Sequence, residues 1–127
     1  MPRLSASSQD YLEAILHLSE ENACVRSIDV ATRLGVSRAS VSRALQVLKE
    51  SGFIEKDLYS EITITPSGRQ TGLEVQERHL ALRRFLVEVL GVEEEIAEKE
   101  ACSMEHSLSI ESLMLLQGFL QDYLSPS

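Results

Sequence analysis

The feature that most constrains the fold is a glycine-centred turn between two short amphipathic segments. Residues 27–34 are typical of a short helix capped by Ser27, and Gly35 would end it because glycine tolerates left-handed backbone. Ser37 completes the turn and can cap a second helix over residues 38–51. Small or apolar residues stand where two helices must cross closely, at Ala31, Gly35, Val41 and Leu48. The pattern predicts a helix-turn-helix.

The exposed face of the second helix carries short polar and cationic side chains. They are Arg38, Ala39, Ser40, Ser42 and Arg43. Side chains of this size and charge suit contact with base edges in a major groove. We expect these residues, with Ser37 and Arg26, to form a DNA-binding surface. A winged helix that binds protein is the alternative at this point.

A β-hairpin is expected directly after the helix-turn-helix. Residues 53–57 and 61–65 are typical of two strands, and Ile62 and Ile64 alternate with polar residues as in a half-buried hairpin. This hairpin would be the wing of a winged helix. The hairpin could contact the DNA backbone phosphates through three residues at or near its tip, Lys56, Tyr59 and Ser60.

The remaining segments have helical apolar stripes. They cover residues 8–21, 66–90, 93–106 and 110–124. The expected caps are Ser7 or Ser8 for the first, Thr65 for the second and Ser109 for the last, and Gly91 is expected to end the second. The chain is therefore predicted to be mainly α. Residues 1–70 would form an N-terminal winged helix-turn-helix with a small β-hairpin wing, and residues 71–127 a helical domain.

The distribution of charge separates the two halves. The net charge is −8, which alone argues against DNA binding. Residues 26–49, however, contain five bases and one acid, whereas residues 71–127 contain eleven acids and four bases. Attraction to phosphate depends on the local field, so the basic segment can still bind DNA. A cation bound in the acidic half would reduce its repulsion of DNA.

Three potential metal ligands share one face of the predicted helix over residues 93–106. Cys102, Glu105 and His106 are spaced i, i+3 and i+4, which places them within a narrow arc. A thiolate and an imidazole favour late first-row divalent metals over calcium or magnesium. The spacing does not match a closed structural zinc site.

Three further donors lie on two other predicted helices, Asp10 and Glu13 on the first and His79 on the long one. A lone histidine or an acidic pair near a helix N-terminus is more often structural than ligating. If the three helices pack together, however, six donors suit a single octahedral or similar site. The mixture of oxygen, nitrogen and sulfur fits Mn, Fe, Co, Ni or Zn.

These motifs together resemble the diphtheria toxin repressor and manganese transport regulator family of metal-dependent repressors. The resemblance covers almost the whole chain and rests on five stretches: Asp10-Tyr-Leu-Glu-Ala-Ile15, Val30-Ala-Thr-Arg-Leu-Gly-Val-Ser37, Thr65-Pro-Ser-Gly68, Arg78-His79 and Glu100-Ala-Cys-Ser-Met-Glu-His106. It implies that the second domain serves in dimerisation and metal binding, and that the metal ligands are Asp10, Glu13, His79, Cys102, Glu105 and His106. It also implies a homodimer that binds palindromic operator DNA when loaded with Mn(II) or Fe(II), with Co(II), Ni(II) or Zn(II) as substitutes.

Departures from the family pattern concern both length and ligands. We expect a short form without the SH3-like third domain of longer members. Asp10 is similar to the manganese regulators and Cys102 to the iron regulators, so the ligand set is mixed. Arg83 stands where members often carry Glu as a ligand of a second metal, and it could pair with Glu98. We expect one strong metal site per subunit, with Glu98 as the candidate ligand of a second.

Two alternatives remain open on the sequence. One is a winged-helix regulator that responds to an organic ligand or to oxidation of Cys102, whose thiol could be activated beside His106. The other is a small metalloenzyme, although six donors leave little room for a substrate. We expect a protein that is not an enzyme. The widely separated Cys24 and Cys102 favour a reducing cytoplasm, and no apolar run suggests a membrane partner.

Overall fold

The computed structural model describes residues 4–58 and 61–125, so the expected wing-tip contacts Tyr59 and Ser60 lie outside it. Within these stretches the α-helices are α1 (Ala6–Glu21), α2 (Ser27–Leu34), α3 (Arg38–Glu50), α4 (Pro66–Arg84), α5 (Glu94–Met104) and α6 (Ile110–Tyr123). The strands are β1 (Val25–Arg26), β2 (Ile54–Lys56) and β3 (Glu61–Ile64). The mainly α fold with a small sheet is confirmed. None of the described helices is both long and apolar enough to cross a membrane.

The chain divides into two compact units, residues 1–74 and residues 75–127. The division falls inside α4, whose first turns belong to the first unit and whose later turns belong to the second. Each unit has its own apolar core.

The core of the first unit lies between α1, α2, α3 and the sheet. Its fully buried side chains include Leu12, Ile15, Val30, Val41 and Leu48. The sheet order is β1-β3-β2 and both pairings are antiparallel. The predicted β2–β3 hairpin is confirmed. The two-residue strand β1 is an addition that period-2 alternation cannot detect at that length.

The turn between α2 and α3 has the predicted geometry. Gly35 adopts φ +65° at the C-terminus of α2, a conformation that favours glycine over residues with a Cβ. Ser37 caps α3, because the backbone N–H of Ser40 donates to its side-chain oxygen at 3.1 Å. The helix-turn-helix is therefore confirmed.

Two of the predicted caps are wrong. α1 begins two residues earlier than expected, and the backbone N–H of Ser8 donates to Ser5 Oγ at 3.1 Å, so Ser5 is the cap rather than Ser7 or Ser8. Ser27 is the first residue of α2, and Arg26 precedes the helix as its cap residue. The Asp29 carboxylate accepts from the Arg26 backbone N–H at 2.9 Å and supplies the side-chain contact there.

The start of α4 is fixed against the turn that follows α3. The Thr65 hydroxyl donates to the Gly52 carbonyl at 2.7 Å and accepts from the Gly68 backbone N–H at 3.0 Å. The Thr65 backbone N–H donates to the Phe53 carbonyl at 3.1 Å. A Cβ at Gly68 would collide with that same carbonyl, so only glycine permits this approach. The predicted cap at Thr65 is confirmed.

The second unit contains the end of α4, a π-helical turn (Phe85–Val89), α5, a 3₁₀ turn (Glu105–Ser107) and α6. The predicted uninterrupted α-helix to Leu90 is wrong beyond Arg84, since the Leu90 N–H donates to the Phe85 carbonyl five residues earlier. Gly91 ends the helical stretch with φ +74°, as predicted. Two buried apolar clusters join these helices, one around Leu82 and Ala101 and one around Leu113. The predicted cap of α6, Ser109, is confirmed.

Candidate metal centre and nucleic-acid interface

His79, in the part of α4 that belongs to the second unit, lies between two carboxylates. Its Nδ1 is 2.8 Å from Glu105 Oε2, and its Nε2 is 2.8 Å from Glu98 Oε1. The pKa of His79 is raised to about 9, mainly by the hydrogen bond to Glu105. The negative charges of Glu105 and Glu98 raise this pKa further, whereas burial lowers it. In the metal-free protein at neutral pH, the ring therefore carries a proton on each nitrogen.

Glu105 is the buried carboxylate of this cluster, with no exposed surface. Its Oε1 has no hydrogen-bond donor among the described residues, and the His106 Nε2 lies 3.5 Å from it. A buried carboxylate oxygen without a donor is costly and rare in folded proteins. A divalent cation would offset that cost. The surrounding imidazole, carboxylate and thiol donors fit a late first-row divalent ion.

The other predicted ligands are placed as follows. Cys102 is an exposed residue on α5, one turn before Glu105, and the His106 side chain is largely buried. Asp10 and Glu13 are half-buried on α1 in the first unit, where the Glu13 carboxylate is 4.0 Å from His17. The structure thus brings His79, Cys102, Glu105 and His106 together within the second unit, where the Cys102 sulfur and a Glu105 oxygen lie within 4.8 Å of each other. That all six residues bind one ion stays a prediction.

Glu98 makes two contacts that occupy the oxygens it would need to bind a second metal. Its Oε2 accepts from Arg83 Nε at 3.0 Å, which confirms the expected Arg83–Glu98 pair, and its Oε1 contacts His79. No sequence signal pointed to the His79–Glu98 contact, because the two residues lie on separate helices and follow no fixed spacing. A second metal site at Glu98 stays a prediction.

The exposed face of α3 carries positive charge that no described acidic side chain pairs with. Arg38, Ala39, Ser42 and Arg43 are exposed, while Ser40 is half-buried and its hydroxyl contacts the Ser37 cap at 3.0 Å. Neither Arg38 nor Arg43 forms an ion pair with the residues that the structure describes. Arg33 on α2, by contrast, pairs with Glu21. The cationic charge of α3 is therefore available to a phosphate or a base edge.

Arg26, on β1, is exposed but engaged within its own unit. A hydrogen bond with the Cys24 side chain is the main cause that raises the pKa of its guanidinium, and Glu61 and Asp29 act in the same direction. The predicted contact of Arg26 with DNA is untested.

Comparison with known proteins gives matches along nearly the whole chain. A family model described as "Iron dependent repressor, N-terminal DNA binding domain" matches residues 3–62. A second, described as "Iron dependent repressor, metal binding and dimerisation domain", matches residues 65–124. These two ranges contain every residue predicted from the sequence to bind metal or DNA.

Individual relatives agree with the family models. The chain is 40% identical over 114 residues to the transcriptional regulator MntR of Salmonella typhimurium, covering 90% of this chain and 72% of that protein. It is 33% identical over 121 residues to a helix-turn-helix-type transcriptional regulator of Methanocaldococcus jannaschii, covering 94% of this chain and 97% of the relative. Both relatives are transcriptional regulators. The alternative of a regulator that responds to an organic ligand or to cysteine oxidation is not favoured.

A solved structure with the same architecture is a manganese-dependent transcriptional repressor in complex with manganese. It is 30% identical with a TM-score of 0.78, and the match covers 89% of this chain. The chain spans about half the length of that repressor, 52%.

Proposed function

The chain belongs to the iron-dependent repressor family, and we propose that it is a metal-dependent transcriptional regulator. It acts as a repressor of metal-uptake or metal-homeostasis genes. A homodimer loaded with Mn(II) or Fe(II) binds palindromic operator DNA. The observation that carries this proposal is the fully buried Glu105 carboxylate, one oxygen of which lacks a hydrogen-bond donor among the described residues.

The proposed ligands come from both units. They are Asp10, Glu13, His79, Cys102, Glu105 and His106. A bound divalent ion supplies positive charge that offsets these carboxylates, and Co(II), Ni(II) or Zn(II) can take its place. In the chain itself, α1 contributes Asp10 and Glu13, while the second unit positions His79 against Glu105 at 2.8 Å. Residues 1–70 serve as the DNA-binding domain and residues 71–127 as the dimerisation and metal-binding domain.

Exposed apolar side chains on α6 support the proposed homodimer. Met114 and Leu115 are 65% and 76% exposed, and Phe119 stacks on the exposed Tyr123 with ring centroids 5.4 Å apart. A contiguous apolar surface of this kind is typical of an interface between proteins. A two-fold dimer would present its two DNA-binding helices to half-sites roughly 34 Å apart, one turn of DNA.

The proposed DNA contacts centre on the uncompensated basic face of α3. They involve Arg26, Ser37, Arg38, Ala39, Ser40, Ser42 and Arg43. Arg38 and Arg43 are exposed and can reach phosphates or the acceptor atoms of guanine. Coupling of metal binding to this face needs only about 1–3 kcal/mol of differential affinity between the two states.

The protein acts in the cytoplasm in this proposal, where Cys24 and Cys102 remain thiols. We assign it no catalytic step, because the proposed ligands serve to hold an ion and α3 serves to bind DNA. Regulation therefore operates through binding equilibria alone.

Selection from a pool of random DNA duplexes, with Mn(II) present and with a chelator present, tests the function. We expect enrichment of palindromic sequences only with Mn(II), and loss of their binding when the chelator is added. Adding Fe(II), Co(II) or Zn(II) afterwards shows how well each metal restores DNA binding. The variant Glu105→Gln removes the buried carboxylate charge while keeping its shape, and it should lose metal-dependent binding. Enrichment that is equally strong in the chelator would overturn the proposal.

A further inference from the structure

The two ring nitrogens of His79 face different surroundings. On the Nδ1 side lies Glu105, whose side chain is fully buried and whose second oxygen lacks a donor among the described residues. On the Nε2 side lies Glu98, whose side chain is 55% exposed. The nitrogen that faces the buried, electron-rich side is therefore Nδ1.

Glu98 is held from behind by Arg83. The guanidinium Nε is 3.0 Å from Glu98 Oε2, and the other oxygen, Oε1, is 2.8 Å from His79 Nε2. Each oxygen of this carboxylate thus has its own partner. Because the Arg83 guanidinium also carries a permanent positive charge, a divalent ion beside Glu98 would be repelled at close range.

We propose that Glu98 is a positioning residue rather than a ligand of a second metal, an inference that rests on the proposed metal site. Anchored by Arg83, Glu98 accepts from the Nε2–H of His79 and so keeps the proton of the neutral ring on that nitrogen. The lone pair of Nδ1 then points to the side of Glu105. Histidines that bind metals commonly donate their other N–H to a carboxylate in this way, which fixes both the tautomer and the ring orientation.

Titration of the metal-free protein with Mn(II), against a competing chelator, measures the effect on affinity. Glu98→Ala should weaken binding by about 10–100-fold, as is typical when such a partner is removed. Glu98→Gln keeps an oxygen that accepts from Nε2–H and should retain affinity closer to that of the wild type. Arg83→Ala leaves the acceptor but not its anchor, so its loss should be smaller than that of Glu98→Ala. Glu95→Ala removes the same charge from the same helix and should leave the affinity unchanged.

Nitrogen NMR of the His79 ring shows which ring nitrogen carries the proton and which binds the metal. A purely structural role of Glu98 would leave this assignment unchanged. With Zn(II) as a diamagnetic probe, the wild type should show a protonated Nε2 and a metal-bound Nδ1. In Glu98→Ala the metal-bound fraction should fall and the ring should populate both tautomers when the ion is absent at high pH. Circular dichroism shows whether each variant is folded, and the loss of affinity expected for Arg83→Ala retains the test if Glu98→Ala is not.

Three results would overturn the inference. If Glu98→Ala binds Mn(II) as tightly as the wild type, Glu98 has no positioning role, but the proposed metal site is not contradicted. Binding of two ions per wild-type chain, with only the weaker one lost in Glu98→Ala, would make Glu98 a ligand of a second site. A wild-type chain that binds no divalent metal would instead contradict the proposed function itself, and this inference with it.

Discussion

Arg33 on α2 contacts both carboxylate oxygens of Glu21 at the end of α1, through Nη1 at 3.2 and 3.0 Å. This ion pair joins two helices of the first unit and neutralises a cation that lies close in sequence to the DNA-binding face. Arg43 has no such partner among the described residues. Two arginines ten positions apart thus differ in what they can contribute to DNA binding.

The first prediction uses this difference. Arg43→Ala should reduce discrimination between the selected palindrome and its base-substituted variants by about 1–3 kcal/mol at the contacted position. The reason is that a bidentate contact to a base edge would be lost. Fluorescence anisotropy at fixed salt measures the discrimination. Arg33→Ala removes the same charge and is the matched control, with discrimination expected to be unchanged. Equal discrimination by Arg43→Ala and the wild type would remove Arg43 from base contact.

The second prediction concerns α1. Asp10→Ala should uncouple DNA binding from metal and leave the fold intact, since Asp10 is a half-buried side chain outside the apolar core. The measurement is the ratio of DNA affinities with and without Mn(II). In the wild type this ratio should be about 5–150-fold, and in the variant it should approach unity. Glu20→Ala, an exposed acid on the same helix, serves as the control. Full metal dependence in Asp10→Ala would contradict its role as a ligand.

The third prediction is a pH dependence of the metal-free protein. The folded-state pKa of His79 is raised from 6.5 to about 9, so its stabilising effect is complete below pH 6.5 and is lost as the pH rises through 9. The unfolding free energy of the wild type minus that of His79→Gln should therefore decrease across this range. Metal affinity should increase as the pH rises, because a ring proton must leave before the nitrogen can bind an ion. A difference that stays constant with pH would show that His79 does not hold its proton through Glu105.

The fourth prediction compares two glycines. Gly68→Ala should destabilise the protein by about 2 kcal/mol or more, because the new Cβ would meet the Phe53 backbone carbonyl and the backbone must shift. Gly118→Ala, inside α6, places a methyl group that meets no described atom within 4 Å other than those of its chain neighbours and the local helix backbone. That change should stabilise by about 1 kcal/mol through helix propensity. Urea denaturation at one fixed protein concentration measures both. A Gly68→Ala protein as stable as the wild type would contradict the close approach at Phe53.

Long amphipathic segments and their glycine stops were predictable from the sequence, because periodicity and left-handed glycine are local properties. The predicted stops Gly35 and Gly91 both adopt positive φ in the turns that follow helical segments. The choice between adjacent serines was not predictable. Ser5, Ser7 and Ser8 offer the same hydroxyl, and the structure uses Ser5 as the cap while Ser8 is buried.

The π-helical turn at Phe85–Val89 gave no signal in the sequence. One extra residue in a helical turn hardly changes an apolar stripe, so the pattern read as a continuous α-helix to Leu90. The candidate site was predictable in its residue types and in the i, i+3, i+4 spacing of Cys102, Glu105 and His106. The pairing of His79 with Glu98 was not, because it depends on how two helices pack.

The junction formed by Thr65 and Gly68 has a mechanical consequence. Through it the first turn of α4 is tied to the turn after α3, by the Thr65–Gly52 hydrogen bond and by the close approach of Gly68 to the Phe53 carbonyl. A side chain at Gly68, or the loss of the Thr65 hydroxyl, would disturb this contact inside the first unit. Substitutions at these two positions would loosen the first unit at a point that touches neither an ion nor a base.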